Sequence, residues 1–373
     1  MMDQIKIKLP ELELSAEFEL PMEYLRLIVM QQAEYKGLLA GDTAAIYRRR
    51  IDCELSEFER CNAIEYLIRV WDLIVNCEVL PELTIRRSMA SASLVCYLLD
   101  ITKLDAEKYG LRFSRFLPES TISIEPFEFS VGSDMLDLRC DLAEEGFEIE
   151  RGDDKSCIVL HKTNISTLIQ KTLDNIRISR GLNIITNDIP LDDVATFQHL
   201  SFADTEGVPY LSGKELAQIM FMLRPTCFEQ LIPLCAMNRV GANEKLPDYY
   251  YYVAKTPNNL SWESEMSNPP MIIYQEQITN MALARGFNSQ ESEQIRKLVG
   301  KRQLARLEEY RKRWIESSDK SSWDLIVDGG LYAFPKAYAI VIAYQAYVCA
   351  YLKTHFPKEY TRAALCVAAS DDC

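Results

Sequence analysis

Apolar residues recur at helical spacing through much of the chain. Phe58, Cys61, Ile64, Ile68, Trp71 and Ile74 fall three or four residues apart, which sets them on one face of a helix predicted over residues 55–79. Ser56 and Glu59 fit a capping box at its start. An earlier helix is predicted from about Met22 to Leu39, closed by Gly41 and Asp42. Leu94 to Leu99 reads as a short apolar helix, and Ser166 to Ile178 as a further one. Strand-like segments are fewer. The first residues form one, and CIVLH (Cys157 to His161) forms another. Alternating Ile122 and Ile124 begin a third that ends in Glu128 and Ser130. Thr226 and Glu229 repeat the capping-box pattern. Tyr249 to Tyr252 is a run of four tyrosines; base stacking is one reading, and an element with some rings buried and others exposed is the favoured one.

Composition narrows the class. A chain of 373 residues, 48% hydrophobic and 26% charged, buries a large core and divides into two or three lobes. The most apolar run, Ala337 to Leu352, is too short and too polar for a membrane span. The formal net charge of −14 argues against a globally DNA-binding surface but leaves room for a local basic groove. Eleven cysteines without a CxxC pair, and no signal peptide, lead us to expect buried thiols and a cytoplasmic location. The three histidines are far apart, which disfavours a histidine metal site.

The stretch from Arg86 to Ser130 combines a run of small residues, an apolar helix and an acidic segment, an order that suits phosphate and metal binding. Ser93, Leu94, Val95, Tyr97, Ile101, Thr102, Leu104 and Asp105 stand in one ungapped register with Tyr109, Gly110, Leu111, Phe113, Arg115, Phe116 and Leu117. In that register the stretch resembles the bacterial replicative DNA polymerases of the C family, the α subunit of DNA polymerase III. The resemblance resumes at IPLDD (Ile189 to Asp193) and continues through NRVGANEKLPDYYYY, MIIYQEQITNMA, IRKLVGKR and the Phe334–Pro357 helix.

The departures are as informative. The family's turn glycines fall on Arg86, Ser88, Ala90 and Ala92, and its D-x-D carboxylates fall on Glu128 and Ser130. Its third acid falls on Tyr249 and Tyr250 without a gap, and on Asp248 after a one-residue shift; a plain Pro-Asp turn is the other reading of Asp248. Of the family's FNKSH signature, Phe334 and Lys336 remain.

The resemblance implies an α+β fold: a palm-like mixed sheet flanked by helices, with a mostly helical partial fingers region. The expected parts are a lead-in (residues 1–54), palm-like segments (55–130 and 187–255), a reduced thumb-like insert (131–186) and a fingers-like region (256–373). The family's phosphoesterase-type domain is expected to be absent. By carry-over, Glu128 and Asp248 would be the catalytic and metal-binding acids of a degenerate site, with Mg²⁺ as the implied ion. Arg87, Ser88, Arg296, Lys297, Lys301 and Lys336 would line a nucleotide site. What has changed is what catalysis needs; what persists is mostly what a core needs. The favoured expectation is therefore a catalytically impaired core that binds DNA, nucleotide or a replication protein, and no membrane. The alternative is an active, two-metal, DNA-directed nucleotidyltransferase.

Overall fold

A computed structural model describes residues 4–12, 20–77, 84–86, 89–132, 134–150, 156–255, 270–317 and 320–371. The chain divides into two units, Met1–Ile189 with Phe356–Cys373, and Pro190–His355.

The first unit holds the sheet. Its strands are β1 (Gln4–Lys8), β2 (Thr84–Ile85), β3 (Glu128–Val131), β4 (Ile149–Glu150) and β5 (Cys157–Lys162), in the order β2-β3-β5-β1-β4. β3 and β5 run parallel, while β2 on β3, β1 on β5 and β1 on β4 are antiparallel. Four successive β5 residues, Cys157 to Leu160, are buried, as expected of a strand covered on both faces. The expected strand at Ile122 and Ile124 does not form. Pro126 offers no N–H to a ladder, Ile122 is 83% exposed, and pairing begins only at Glu128.

Helices pack around this sheet. The first, Pro21–Tyr35, ends four residues before the expected Leu39. The helix expected over 55–79 is two helices, Ala44–Arg60 and Ile64–Asn76. Asn62 breaks them with φ of 52°, a left-handed conformation that asparagine tolerates better than most residues. Ser56 and Glu59 therefore lie inside a helix and do not cap one. The apolar stripe survives the break: Phe58, Cys61, Ile64 and Ile68 are all buried. Asn164–Arg180 is longer than expected, started by Thr163 and ended by Gly181 at φ 66°. The last helix, Pro357–Asp371, returns to it, and Glu359 accepts from Arg180 at 2.8 and 2.9 Å.

The second unit is helical in its described residues. Its axis is the 20-residue helix Lys336–His355, mostly buried, which packs against Leu231–Met237 and Val194–Ser201. One cluster around Trp314 gathers Ile278, Ile295, Leu298 and Trp323. The second expected capping box is replaced: Gln230, not Glu229, reaches back to the Thr226 N–H at 2.7 Å, and the helix starts at Leu231. The tyrosine run lies in the helix Leu246–Lys255, with Tyr249 buried and Tyr251 exposed. Together the two units make an α+β fold with a mostly helical region. Among the described residues no helix is long and apolar enough to cross a membrane.

Candidate functional site

β3 carries Glu128 at its exposed start. Tyr66 fixes how the chain enters this strand: its hydroxyl accepts the Phe127 N–H at 2.7 Å and donates to the Cys157 carbonyl of β5 at 3.1 Å. Alternate strand residues share a face, so Glu128 and Ser130 point the same way, and the parallel register sets His161 beside Ser130. Glu128 Oε2 lies 3.2 Å from His161 Nε2 and 3.3 Å from Arg86 Nη1. The Arg86 N–H also donates to the Glu128 carbonyl at 2.7 Å. Burial and the Arg86 charge push the His161 imidazole below its ordinary range, against the pull of Glu128. Ser130 is buried.

The small-residue run leads into the helix Leu94–Leu98, whose first amides point at a carboxylate of the chain itself. Glu54, fully buried, accepts the Leu94 and Val95 N–H groups at 3.0 Å each and the Ser93 hydroxyl at 2.7 Å. Arg50 donates to the same carboxylate at 2.9 Å and to the Ala92 and Leu111 carbonyls at 2.8 Å. Burial pushes the Glu54 carboxyl above its usual range, while Arg50 and the two amides pull it back. The expected phosphate cradle after the turn is thus closed by an internal anion. Ala90, Ser91 and Ala92 pack into the core. Arg87 and Ser88, both expected at a nucleotide, lie outside the described residues.

The strand end does not fit Mg²⁺. A hard divalent cation needs several oxygen ligands in a near-octahedral set. β3 offers one carboxylate that already faces a guanidinium, and the second position is a buried hydroxyl. Within either unit, among the described residues, no three His, Cys, Asp or Glu side chains converge as metal ligands.

The second unit gathers several of the motifs at one junction. Tyr274 and Phe334 form a parallel bridge; the Phe334 N–H donates to the Ile273 carbonyl at 2.8 Å, and the Gln275 N–H to the Phe334 carbonyl at 3.0 Å. Each member of YQEQ then has a structural role. Gln275 accepts from Arg296 Nη1 at 2.8 Å and donates to the Ala333 carbonyl at 3.3 Å. Glu276, buried, accepts the Lys336 N–H at 2.9 Å, placing a carboxylate at the positive end of the long helix. Gln277 accepts the Ile273 and Tyr274 amides at 2.7 and 2.8 Å. The Tyr274 ring lies 6.0 Å from Lys336 Nζ. Arg239 stacks on Phe334 at 4.3 Å and donates to the Tyr332 carbonyl at 2.6 Å. Gly241, at φ 83°, passes so close to the Tyr332 ring that a Cβ there would collide with it.

The expected cation set is therefore divided. Arg296 bonds Gln275 and the Lys336 backbone bonds Glu276 at this junction, but Lys336 is wholly buried and Arg296 is held by Glu293 as well. Lys297 and Lys301 are exposed at the end of the helix Ser289–Gly300. Asp248 stands in the first turn of its helix after Pro247, not in a Pro-Asp turn, with Lys245 Nζ 3.5 Å away. It belongs to the second unit, whereas Glu128 belongs to the first. Sequence reasoning missed Arg86, His161, Glu54, Gln275 and Arg239 as members of these constellations. Gln275 and Arg239 had a local signal, since they lie inside the recognisable runs MIIYQEQITNMA and NRVGANEKLPDYYYY, and Arg86 stood out as a replacement of a turn glycine; Glu54 and His161 had none.

Comparison with known proteins bears on both regions. A family model described as the bacterial DNA polymerase III alpha subunit finger domain matches residues 166–322. Another, described as the bacterial DNA polymerase III alpha NTPase domain, matches residues 23–127 and so stops one residue before Glu128. The DNA polymerase III subunit alpha of Staphylococcus aureus (strain COL) is 29% identical over 210 residues, covering 52% of this chain and 20% of that protein. The same subunit of Staphylococcus epidermidis is 29% identical over 207 residues, covering 51% of this chain and 19% of that protein. The chain thus spans about a fifth of the length of these curated relatives.

Proposed function

From a chain that is DNA polymerase III α-subunit-like over residues 23–127 and 166–322, we propose a polymerase-related core that binds DNA and does not transfer nucleotides. The observation that carries this reading is the β3 end. Glu128 faces Arg86 where the family holds metal ions, and Ser130 is a buried hydroxyl where the family has an acid. Two-metal transfer needs carboxylates that fix both ions, and the Glu54 carboxylate occupies the amides that would otherwise meet a phosphate.

Binding is a separate matter. Lys297, Lys301, Arg302 and Arg306 are exposed along one short run, a local basic surface on a chain of net charge −14. Phosphate backbones are attracted to such a run through counterion release, whatever the overall charge. Nucleotide and a replication protein are the other ligands this surface would accept. The exposure of Glu128 supports a second reading, an active DNA-directed nucleotidyltransferase that uses two metal ions.

Fluorescence anisotropy of a labelled primer–template over a salt series tests the binding claim. We expect binding at low salt that weakens steeply as salt rises. Replacing Lys297, Lys301 and Arg302 by alanine should flatten that slope by roughly 0.7–0.9 for each phosphate left without its cation. Absence of binding at low salt, or a slope unchanged in the triple variant, would contradict it.

A further inference from the structure

The residue that faces Glu128 is not incidental. In the register of the resemblance, Arg86 occupies a position where the family has glycine. From that position its guanidinium reaches Glu128 Oε2 at 3.3 Å, and its own N–H holds the Glu128 carbonyl at 2.7 Å. The antiparallel pairing of β2 with β3, Ile85 opposite Phe129, delivers Arg86 to that spot. A glycine there would leave the carboxylate facing solvent and His161 alone.

We infer that the Arg86 guanidinium has taken the place of a divalent cation against Glu128, so that this strand end carries its own positive charge and takes up a metal ion only when Arg86 is removed. The chemistry is electrostatic. A carboxylate that faces a fixed cation gains less from a second cation, and the second cation is repelled by the first. The geometry also says what restoring a site requires. Ser130 shares a face with Glu128 and stands beside His161 in the parallel register. The change Ser130→Asp would therefore add a second carboxylate next to Glu128 and His161 once the guanidinium is gone.

This inference deepens the proposed loss of nucleotidyl transfer and rests on reading β3 as the family's acidic strand. Primer extension by the parent would overturn that reading; the experiment below addresses Arg86 alone. Free Mn²⁺ is followed by electron paramagnetic resonance while the full chain is titrated, for the parent, Arg86→Ala, Arg86→Ala/Ser130→Asp and Glu128→Gln. The parent should retain no more Mn²⁺ than Glu128→Gln. Arg86→Ala should bind roughly tenfold more tightly than the parent, the size expected for one unit charge removed a few ångströms from a divalent ion in partly screened water. The double variant should bind more tightly again, at one ion per chain. Arg86 is part-exposed, so Arg86→Ala is expected to fold. Should circular dichroism show that the added buried carboxylate unfolds the double variant, the single variant decides. A parent that binds one Mn²⁺ in a manner abolished in Glu128→Gln overturns the inference. So does an Arg86→Ala variant that binds no more tightly than the parent.

Discussion

His355 Nε2 lies 2.9 Å from Asp193 Oδ2, the same oxygen that accepts the Thr196 N–H at 2.8 Å and the Thr196 hydroxyl at 2.7 Å. These two residues stand at opposite ends of the second unit's sequence, Asp193 in IPLDD and His355 in the last turn of the long helix. Beside them the Tyr347 hydroxyl donates to the Pro190 carbonyl at 2.8 Å and accepts the Asp193 N–H at 3.0 Å. One carboxylate therefore caps the helix Val194–Ser201 and ties together the two points where the chain enters and leaves the unit.

Burial pushes the Asp193 carboxyl up, but its Thr196 and His355 partners outweigh that and hold it below the ordinary aspartate value. A depressed folded-state value means that the stabilisation is present above the unfolded value, ~3.9, and is lost as pH falls through the folded one. Asp193→Ala should lower stability by about 0.5–2 kcal/mol at pH 7, the usual scale of a lost cap. Urea unfolding of both proteins at pH 7 and at steps below pH 4 should show the gap closing with acid. A gap that persists unchanged at the lowest pH would contradict this account of Asp193.

Glu54 makes a larger prediction. Removing it leaves the half-buried Arg50 with Glu107 as its remaining carboxylate, and takes the acceptor from the Ser93 hydroxyl and from the two buried amides of Leu94 and Val95. Each buried donor left without an acceptor costs about 1–3 kcal/mol, and Glu54 serves three of them, so Glu54→Ala should be among the most destabilising single changes in the first unit. Denaturant midpoints check this, and a loss under about 1 kcal/mol would be too small for buried donors left without their acceptor.

Tyr66→Phe isolates the hydroxyl that joins β3 to β5. The Phe127 N–H would lose its acceptor inside the core, at a cost of about 1–3 kcal/mol. Hydrogen exchange should accelerate at the Phe127 amide more than at amides of β1. Equal acceleration at both would mean that the hydroxyl acts on global stability and not on the entry to β3.

Local periodicity made much of the fold legible. The stripe of Phe58, Cys61, Ile64 and Ile68, the strand from Cys157 and the long helix ending at His355 each carry their own pattern of burial. The break at Asn62 was hidden because that stripe continues across it, with only the backbone changing hand. Ile122 and Ile124 alternate like a strand yet find no partner, and pairing partners are not written into a single segment. The site was less legible for a related reason. Arg86 and Glu128 are 42 residues apart, and Glu54 lies 40 before the Leu94 amide it accepts. The resemblance pointed to the acidic strand, but only the sheet register showed which cation faces it.

Primer extension tests the central claim most directly. The purified chain is incubated with a labelled primer–template and all four deoxynucleotides, first with Mg²⁺ and then with Mn²⁺, beside a Glu128→Ala variant prepared in the same way. The account predicts that parent and variant alike leave the primer at its original length with either ion. Extension by the parent that disappears in Glu128→Ala would contradict it and establish Glu128 as a working acid of a nucleotidyltransferase.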